Sequence, residues 1–190
     1  MTSTGTTGRG GTPARFDLQP TLKGNLLTLR PMRPEDFDAL FEAAKDPLIW
    51  EQHPDRERYT EPRFRVYFQG GLDSGGAFLV IDNETGRVIG STRYCGYAPE
   101  RSEIEIGWTF LERKYWGGRH NGEMKRLMLE HAFRFVDHVV FLIGEDNWRS
   151  RRAVEKIGGV RIEDRIDSKG EPRVVYRISA AAYTGGRKAS

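Results

Sequence analysis

The chain has a single cysteine, Cys95, so no internal disulfide framework can brace it, and a small disulfide-stapled secreted scaffold is excluded. Cys95 lies among strand-like residues with no His or Cys close by in sequence, the setting of a buried structural thiol rather than a nucleophile. A lone thiol of this kind fits a reducing, cytoplasmic environment. Long apolar runs are missing too: nowhere do about eighteen apolar residues follow one another, so no segment reads as a membrane-spanning helix. Residues 1–15 are rich in Thr, Ser and Gly, lack the apolar stretch of a signal peptide, and read as a flexible lead-in. Histidine is scarce. His53 and His120 are isolated, His131 and His138 are seven apart, and no H-E-x-x-H occurs, so no metal site is expected and all four read as surface or half-buried imidazoles.

Charge of one sign is also lacking. Thirty Lys and Arg stand against 27 Asp and Glu, a net +3, and the pI is about 9.1. That mild basicity favours an anionic ligand, but the positive residues are interleaved with acids, which makes a nucleic-acid-binding module the weakest reading. What is there is the balance of a globular enzyme: 37% hydrophobic, 30% charged and 11% aromatic residues, with a mean hydropathy of −0.62. A length of 190 residues suits one domain, read here as 16–183, with 184–190 as a frayed tail.

Periodicity orders the chain. A weak strand covers 26–30, and Arg33-Pro34-Glu35-Asp36-Phe37 then opens a helix, with Pro34 in its first turn and two acids at the positive end of its dipole. That helix is expected to end near Lys45. Residues 49–63 are polar, aromatic and proline-punctuated, a loop with short helix that suits a substrate wall, and 63–69 continue as a second helix ended by Gly70-Gly71. Strands follow at 77–82, 88–94 and 103–111, the first two joined by an Asn83-Glu84-Thr85-Gly86 turn, giving an antiparallel meander. From Asn121 on, Met124, Leu127, Met128, His131, Ala132 and Phe135 recur at three and four, the mark of a long amphipathic helix. A buried strand at 139–143, a helix capped at Asp146 or Asn147 and running to Ile157 before Gly158-Gly159, and a hairpin of 160–166 with 174–178 complete the pattern. The fold class is therefore a mixed α/β sandwich.

The chemistry concentrates where the strand at 103–111 passes through Tyr115-Trp116-Gly117-Gly118-Arg119-His120-Asn121-Gly122 into the long helix. A glycine-rich turn that opens a helix leaves amides unpaired at the positive end of the dipole, a ready anion site, although glycine also serves simply to turn a chain. A P-loop would need Gly-Lys followed by Ser or Thr, whereas Gly122 precedes Glu123-Met124. A dinucleotide fingerprint needs G-x-G-x-x-G after a parallel strand, and the sequence offers G-G-R-H-N-G after an antiparallel one.

Glu105-Ile106-Gly107-Trp108, Tyr115-Trp116-Gly117, Asn121-Gly122-Glu123-Met124-Lys125, Asn147-x-x-Ser150 and Val154-Glu155-Lys156-Ile157-Gly158-Gly159 together resemble the GNAT acetyltransferase superfamily, in the branch similar to ribosomal-protein alanine and serine N-acetyltransferases. The resemblance extends from about Leu22 to Ile178. It implies a mostly antiparallel sheet flanked by helices on both faces and splayed in the middle to admit acetyl-CoA. It implies that main-chain groups of Thr109, Phe110 and Leu111 pair with the pantetheine arm, that Trp116, Gly117, Gly118, Arg119, His120, Asn121 and Gly122 hold the pyrophosphate, and that Asn147 bonds the pantetheine from the neighbouring strand's end. Arg119 stands where the family's pattern has glycine, with Gly118 one place earlier.

Direct acetyl transfer needs a neutral amine, a polarised carbonyl and a proton for the leaving thiolate. Glu105 is the candidate base, directly or through water. Glu103, on the same strand face, is the runner-up. Both are otherwise ordinary exposed strand carboxylates. Ser150 is the candidate thiolate acid and cofactor contact, or else a first-turn helix residue. Trp50, Trp108 and Trp148 read as pocket wall or core, and Arg149, Arg151 and Arg152 as a solvated helix face or a contact to the 3′-phosphate of coenzyme A. The expected activity is acetyl-CoA-dependent acetylation of an amine, either a protein N-terminus or a small molecule such as a polyamine, with a non-catalytic acyl-CoA sensor or scaffold as the alternative. Similar proteins often pair, which leaves a homodimer open.

Overall fold

The computed structural model describes residues 15–167 and 170–183. The lead-in, apart from Arg15, and the frayed tail expected from sequence lie outside them. One eight-stranded sheet organises the molecule in the order β1-β2-β3-β4-β5-β6-β8-β7. The strands are β1 (Leu22–Lys23), β2 (Leu27–Pro31), β3 (Ala77–Asp82), β4 (Val88–Ala98), β5 (Glu103–Leu111), β6 (His138–Gly144), β7 (Val160–Ile166) and β8 (Pro172–Ser179). Neighbours run antiparallel except β5 and β6, which are parallel. The helices are α1 (Phe37–Ala44), α2 (Glu61–Ser74), α3 (Arg119–Ala132) and α4 (Trp148–Lys156). The expected mixed sheet with helices on both faces is the one observed.

Alternation along the strands builds two cores. In β3, Phe78 and Val80 face a cluster with Met124 and Met128 of α3 and Val154 of α4, while Ala77 and Leu79 face a second cluster with Leu40 of α1 and Phe64 of α2. The inward stripe of α2 is Phe64, Tyr67, Phe68 and Gly71, a spacing of three, one and three residues that keeps them on one helix face. Each fully buried aromatic of this kind contributes about 2–3 kcal/mol of burial free energy.

Several boundaries differ from the sequence expectation. Helix α2 does not stop at Gly70-Gly71 but runs to Ser74, where Gly75 takes a left-handed φ of 62° that ends it. Gly71 serves close packing instead, since a Cβ there would sit 3.0 Å from the Met32 sulfur, whereas one on Gly70 would meet nothing within 4 Å. Helix α3 starts two residues earlier than expected, at Arg119, and ends at Ala132; Phe135 lies in a tightened turn whose amide donates to the Ala132 carbonyl. The β4 strand continues past Tyr94 to Ala98, and the short β1 was not expected.

Candidate functional site

The parallel pairing of β5 with β6 is brief: Glu103 with His138, Ile104 with Val139, Glu105 with Val140, and no further. Beyond Glu105 the two strands part, β5 held by β4 and β6 by β8. Their main-chain edges therefore face each other across an opening with Glu105 at its apex. The far end of β5 is bent by a bulge: Ser91 pairs with Phe110 and Arg93 with Gly107, so Trp108 and Thr109 share the place opposite Thr92, and Trp108 takes a φ of 54°. The hydroxyl of Tyr67 donates to the Trp108 carbonyl at 2.6 Å and fixes this kink.

Glu105 is directly opposite Cys95, whose thiol donates to its carboxylate. A Cβ on Gly107 would lie 2.7 Å from a Glu105 carboxylate oxygen, so that carboxylate lies over Gly107, beside the bulge. Burial raises the Glu105 pKa above the ordinary carboxylate value, an effect reduced by the Cys95 thiol and by the charges of Arg165, Arg173 and Arg93. Glu103 sits differently. It is 4% exposed at the closed end of the β5–β6 pair and ion-paired with Arg165 at 3.2 Å and Arg101 at 3.5 Å. Glu103 is buried and Glu105 half-buried, so the reading of fully exposed strand acids does not hold for either. Burial lifts the Cys95 thiol well above its usual range, as a structural thiol requires.

At the other end of the opening, the Trp116 indole donates to the Leu111 carbonyl at 2.8 Å, fastening the glycine turn to the strand. Gly117 has φ 65°, a conformation that side chains resist, and Gly118 is the N-cap of α3 with no side-chain cap. The first-turn amides of this 14-residue helix thus meet no capping group among the described residues, and the dipole adds positive potential there. Arg119 is exposed and in no ion pair among the described residues. His120 is held by Asp82 at 3.3 Å and stacks edge-on against Tyr115. Asn121 and Gly122 follow in the first turn. Across the opening, Asn147 caps α4 by accepting from the Ser150 amide at 3.2 Å, which brings both residues to the end of β6.

Several residues at this site carry more than their sequence context indicates. Lys125 of α3 is buried behind the opening: its Nζ donates to Thr109 Oγ1 at 2.9 Å and lies 5.6 Å from the Phe141 ring centroid, so it touches both parting strands. Burial lowers its pKa to about 7. Its spacing of three, four and seven from Met128, Leu129 and Ala132 was the available signal. Arg149 does not point to solvent as expected; its guanidinium lies 3.9 Å over the Trp116 ring and donates to the Ile49 carbonyl at 3.1 Å, tying α4 to the glycine turn. Arg151 is buried against the Tyr176 hydroxyl, leaving only Arg152 of that run exposed. His131 is likewise buried, its Nε2 2.8 Å from the Asp17 carbonyl oxygen.

The α1–α2 face beside the bulge holds a cavity of about 220 Å³ lined by Arg58, Arg93, Tyr67 and Trp108, among others. Trp50 is core instead, its indole donating to the Ala44 carbonyl, and Trp148 is exposed. Among the described residues there is no cluster of three metal-ligating side chains and no helix long and apolar enough to cross a membrane.

The sequence model described as Acetyltransferase (GNAT) domain matches residues 27–160. No curated protein sequence matches the chain. Among solved structures, a GCN5-related N-acetyltransferase from Brucella melitensis superposes with a TM-score of 0.80 at 18% identity, over 92% of this chain and 85% of that one. An acetyltransferase from Agrobacterium tumefaciens gives 0.64 at 26% identity over 84% and 94%. Mycobacterium smegmatis RimJ, solved with CoA-disulfide, gives 0.63 at 15% identity over 82% of each chain, a likeness of fold.

Proposed function

The chain belongs to the GNAT acetyltransferase family, and on that premise we propose that its one domain, residues 16–183, moves an acetyl group from acetyl-CoA to a primary amine at the opening between β5 and β6. The observation that carries this reading is the abrupt end of β5–β6 pairing at Glu105, with an uncapped helix N-terminus at the far end of the same strand. The free edge along Thr109 and Phe110 offers main-chain groups to an extended amide-bearing arm. The Leu111 carbonyl is already engaged by Trp116, so its part in that pairing falls to its amide. The turn from Trp116 to Gly122 receives the pyrophosphate on α3 amides.

Glu105 takes the proton of the amine, directly or through one water, as the nitrogen bonds to the thioester carbon and the carbon–sulfur bond breaks. A raised pKa suits this role, because it brings the base nearer to the working pH. Ser150, in the first turn of α4, relays a proton to the departing thiolate through its hydroxyl, which takes one from water in the same step. The acceptor is a protein N-terminus or a small amine.

Thermal unfolding with acetyl-CoA, coenzyme A and ATP in turn tests the donor. Acetyl-CoA at about 100 times its Kd stabilises by roughly 2.7 kcal/mol, a rise of several degrees in Tm, and ATP does not. No shift with acetyl-CoA would sink the reading.

A further inference from the structure

Arg93 and Arg58 are both about nineteen-twentieths buried, at 6% and 5% exposed, and both line the cavity beside Trp108. Arg93 has no carboxylate within ion-pairing distance among the described residues. Its Nη2 donates to the Tyr67 carbonyl at 3.4 Å, and its Nε is buried without an acceptor. The guanidinium lies 4.7 Å from the Trp108 ring centroid and 5.8 Å from that of Tyr67, and Arg58 lies 5.3 Å and 5.0 Å from the same two rings. Arg58 has one acidic partner, Asp55 at 3.6 Å, which is shared with Arg63 at 3.1 Å. His53 faces Arg58 at 3.1 Å, and because a guanidinium accepts nothing, the His53 Nε2 must be the acceptor. Burial and Arg58 hold His53 neutral, at a pKa of about 3, so it adds no charge.

The cavity is thus ringed by three guanidinium groups against one carboxylate. Ring faces relieve part of the cost of burying cations, but they leave N–H donors unused, and an unused buried donor is a standing penalty until an acceptor arrives. Planar forks of N–H groups match the oxygens of a carboxylate or phosphate. The position is equally specific: Arg93 pairs directly with Gly107, over which the Glu105 carboxylate lies. An amine at Glu105 and an anionic group between Arg93 and Arg58 would belong to one small molecule.

We propose that the acceptor is a small amine carrying an oxyanion, a carboxylate or a phosphate, and that Arg93 and Arg58 bind that group in the cavity beside Trp108. This deepens the acetyltransferase reading and rests on it. It also selects against polyamines, which would place a second cation among three arginines.

Matched amine pairs test it in an acetyl-CoA-dependent thiol-release assay on the full chain: 4-aminobutanoate with butylamine, alanine with alaninamide, phosphoethanolamine with ethanolamine, and 1,4-diaminobutane alone. At least one anionic member is expected to exceed its uncharged partner in kcat/KM by about 100-fold or more, with the diamine poorest. The Arg93→Met and Arg58→Met variants are expected to reduce that ratio at least tenfold, mainly through KM, and Arg93→Lys to restore part of it. A variant that merely unfolds loses its acetyl-CoA thermal shift, which is measured alongside, and in that case Arg93→Lys carries the comparison. Equal rates within every pair, or preference for the diamine, overturn the inference while leaving acetyl transfer standing. No acetyl-CoA shift and no thiol release with any amine would instead count against the acetyltransferase reading itself.

Discussion

At Lys125 an amine is buried against Thr109 and Phe141 with no acidic partner among the described residues, and its pKa falls to about 7. The unfolded chain holds that proton up to the ordinary lysine value of 10.5, so between pH 7 and 10.5 the unfolded state binds more protons than the native one. Wild-type stability therefore rises with pH across that window, and below pH 7 the native state bears the full cost of a buried ammonium. The Lys125→Met variant escapes this titration. In urea unfolding it should exceed the wild type by roughly 3–5 kcal/mol at pH 6, with the gap closing towards pH 10. A gap that is constant with pH would show that the buried charge is not what matters. Among single residues, Glu105 was readable as a candidate acid from its neighbours in sequence, and the structure puts it where the β5–β6 pairing ends. Arg93 and Lys125 were not, because a lone cation in an alternating strand or on a helix looks solvated until another element covers it. Helix α2 covers Arg93, and the parting strands cover Lys125.

Elements are joined here by side chains that satisfy main-chain donors. Glu123 of α3 accepts from the amides of Asn25, Leu26 and Leu27 at 2.9, 2.7 and 3.0 Å, holding the turn between β1 and β2 onto the helix that carries the glycine turn. Truncation as Glu123→Ala leaves three amides without their acceptor and is expected to cost about 2–4 kcal/mol, several degrees in Tm by calorimetry. An unchanged Tm would mean water replaces the carboxylate without loss. Element boundaries were legible where local chemistry sets them. The strands at 77–82, 103–111 and 160–166 coincide with the observed β3, β5 and β7, and Asn147 caps α4 as its residue type suggests. They were misread where packing sets them, as at Gly71, whose small side is needed by Met32 and not by a helix end.

For the whole molecule, the sheet separates two kinds of surface. One face carries α3, α4 and Lys125, and the other carries α1, α2, Arg58 and Arg93, with Glu105 at the seam where β5 and β6 part. Fold class and the succession of strands from β2 onwards could be read from periodicity. The order could not: β8 lies between β6 and β7, and the parallel β5–β6 pair joins segments about 35 residues apart, long-range pairings that no local pattern encodes. The opening is a product of those pairings, so it was expected only through the family resemblance and not from periodicity.

The central claim is that Glu105, at the apex of that opening, removes the amine proton. The pH dependence of thiol release by the wild type and by Glu105→Gln, both saturated with acetyl-CoA, tests it most directly. The wild-type rate should rise with pH along a limb set by a carboxylate above its ordinary 4.5, while the variant is slower by about 10²–10⁴-fold and lacks that limb. Superimposable profiles for the two proteins would contradict the account.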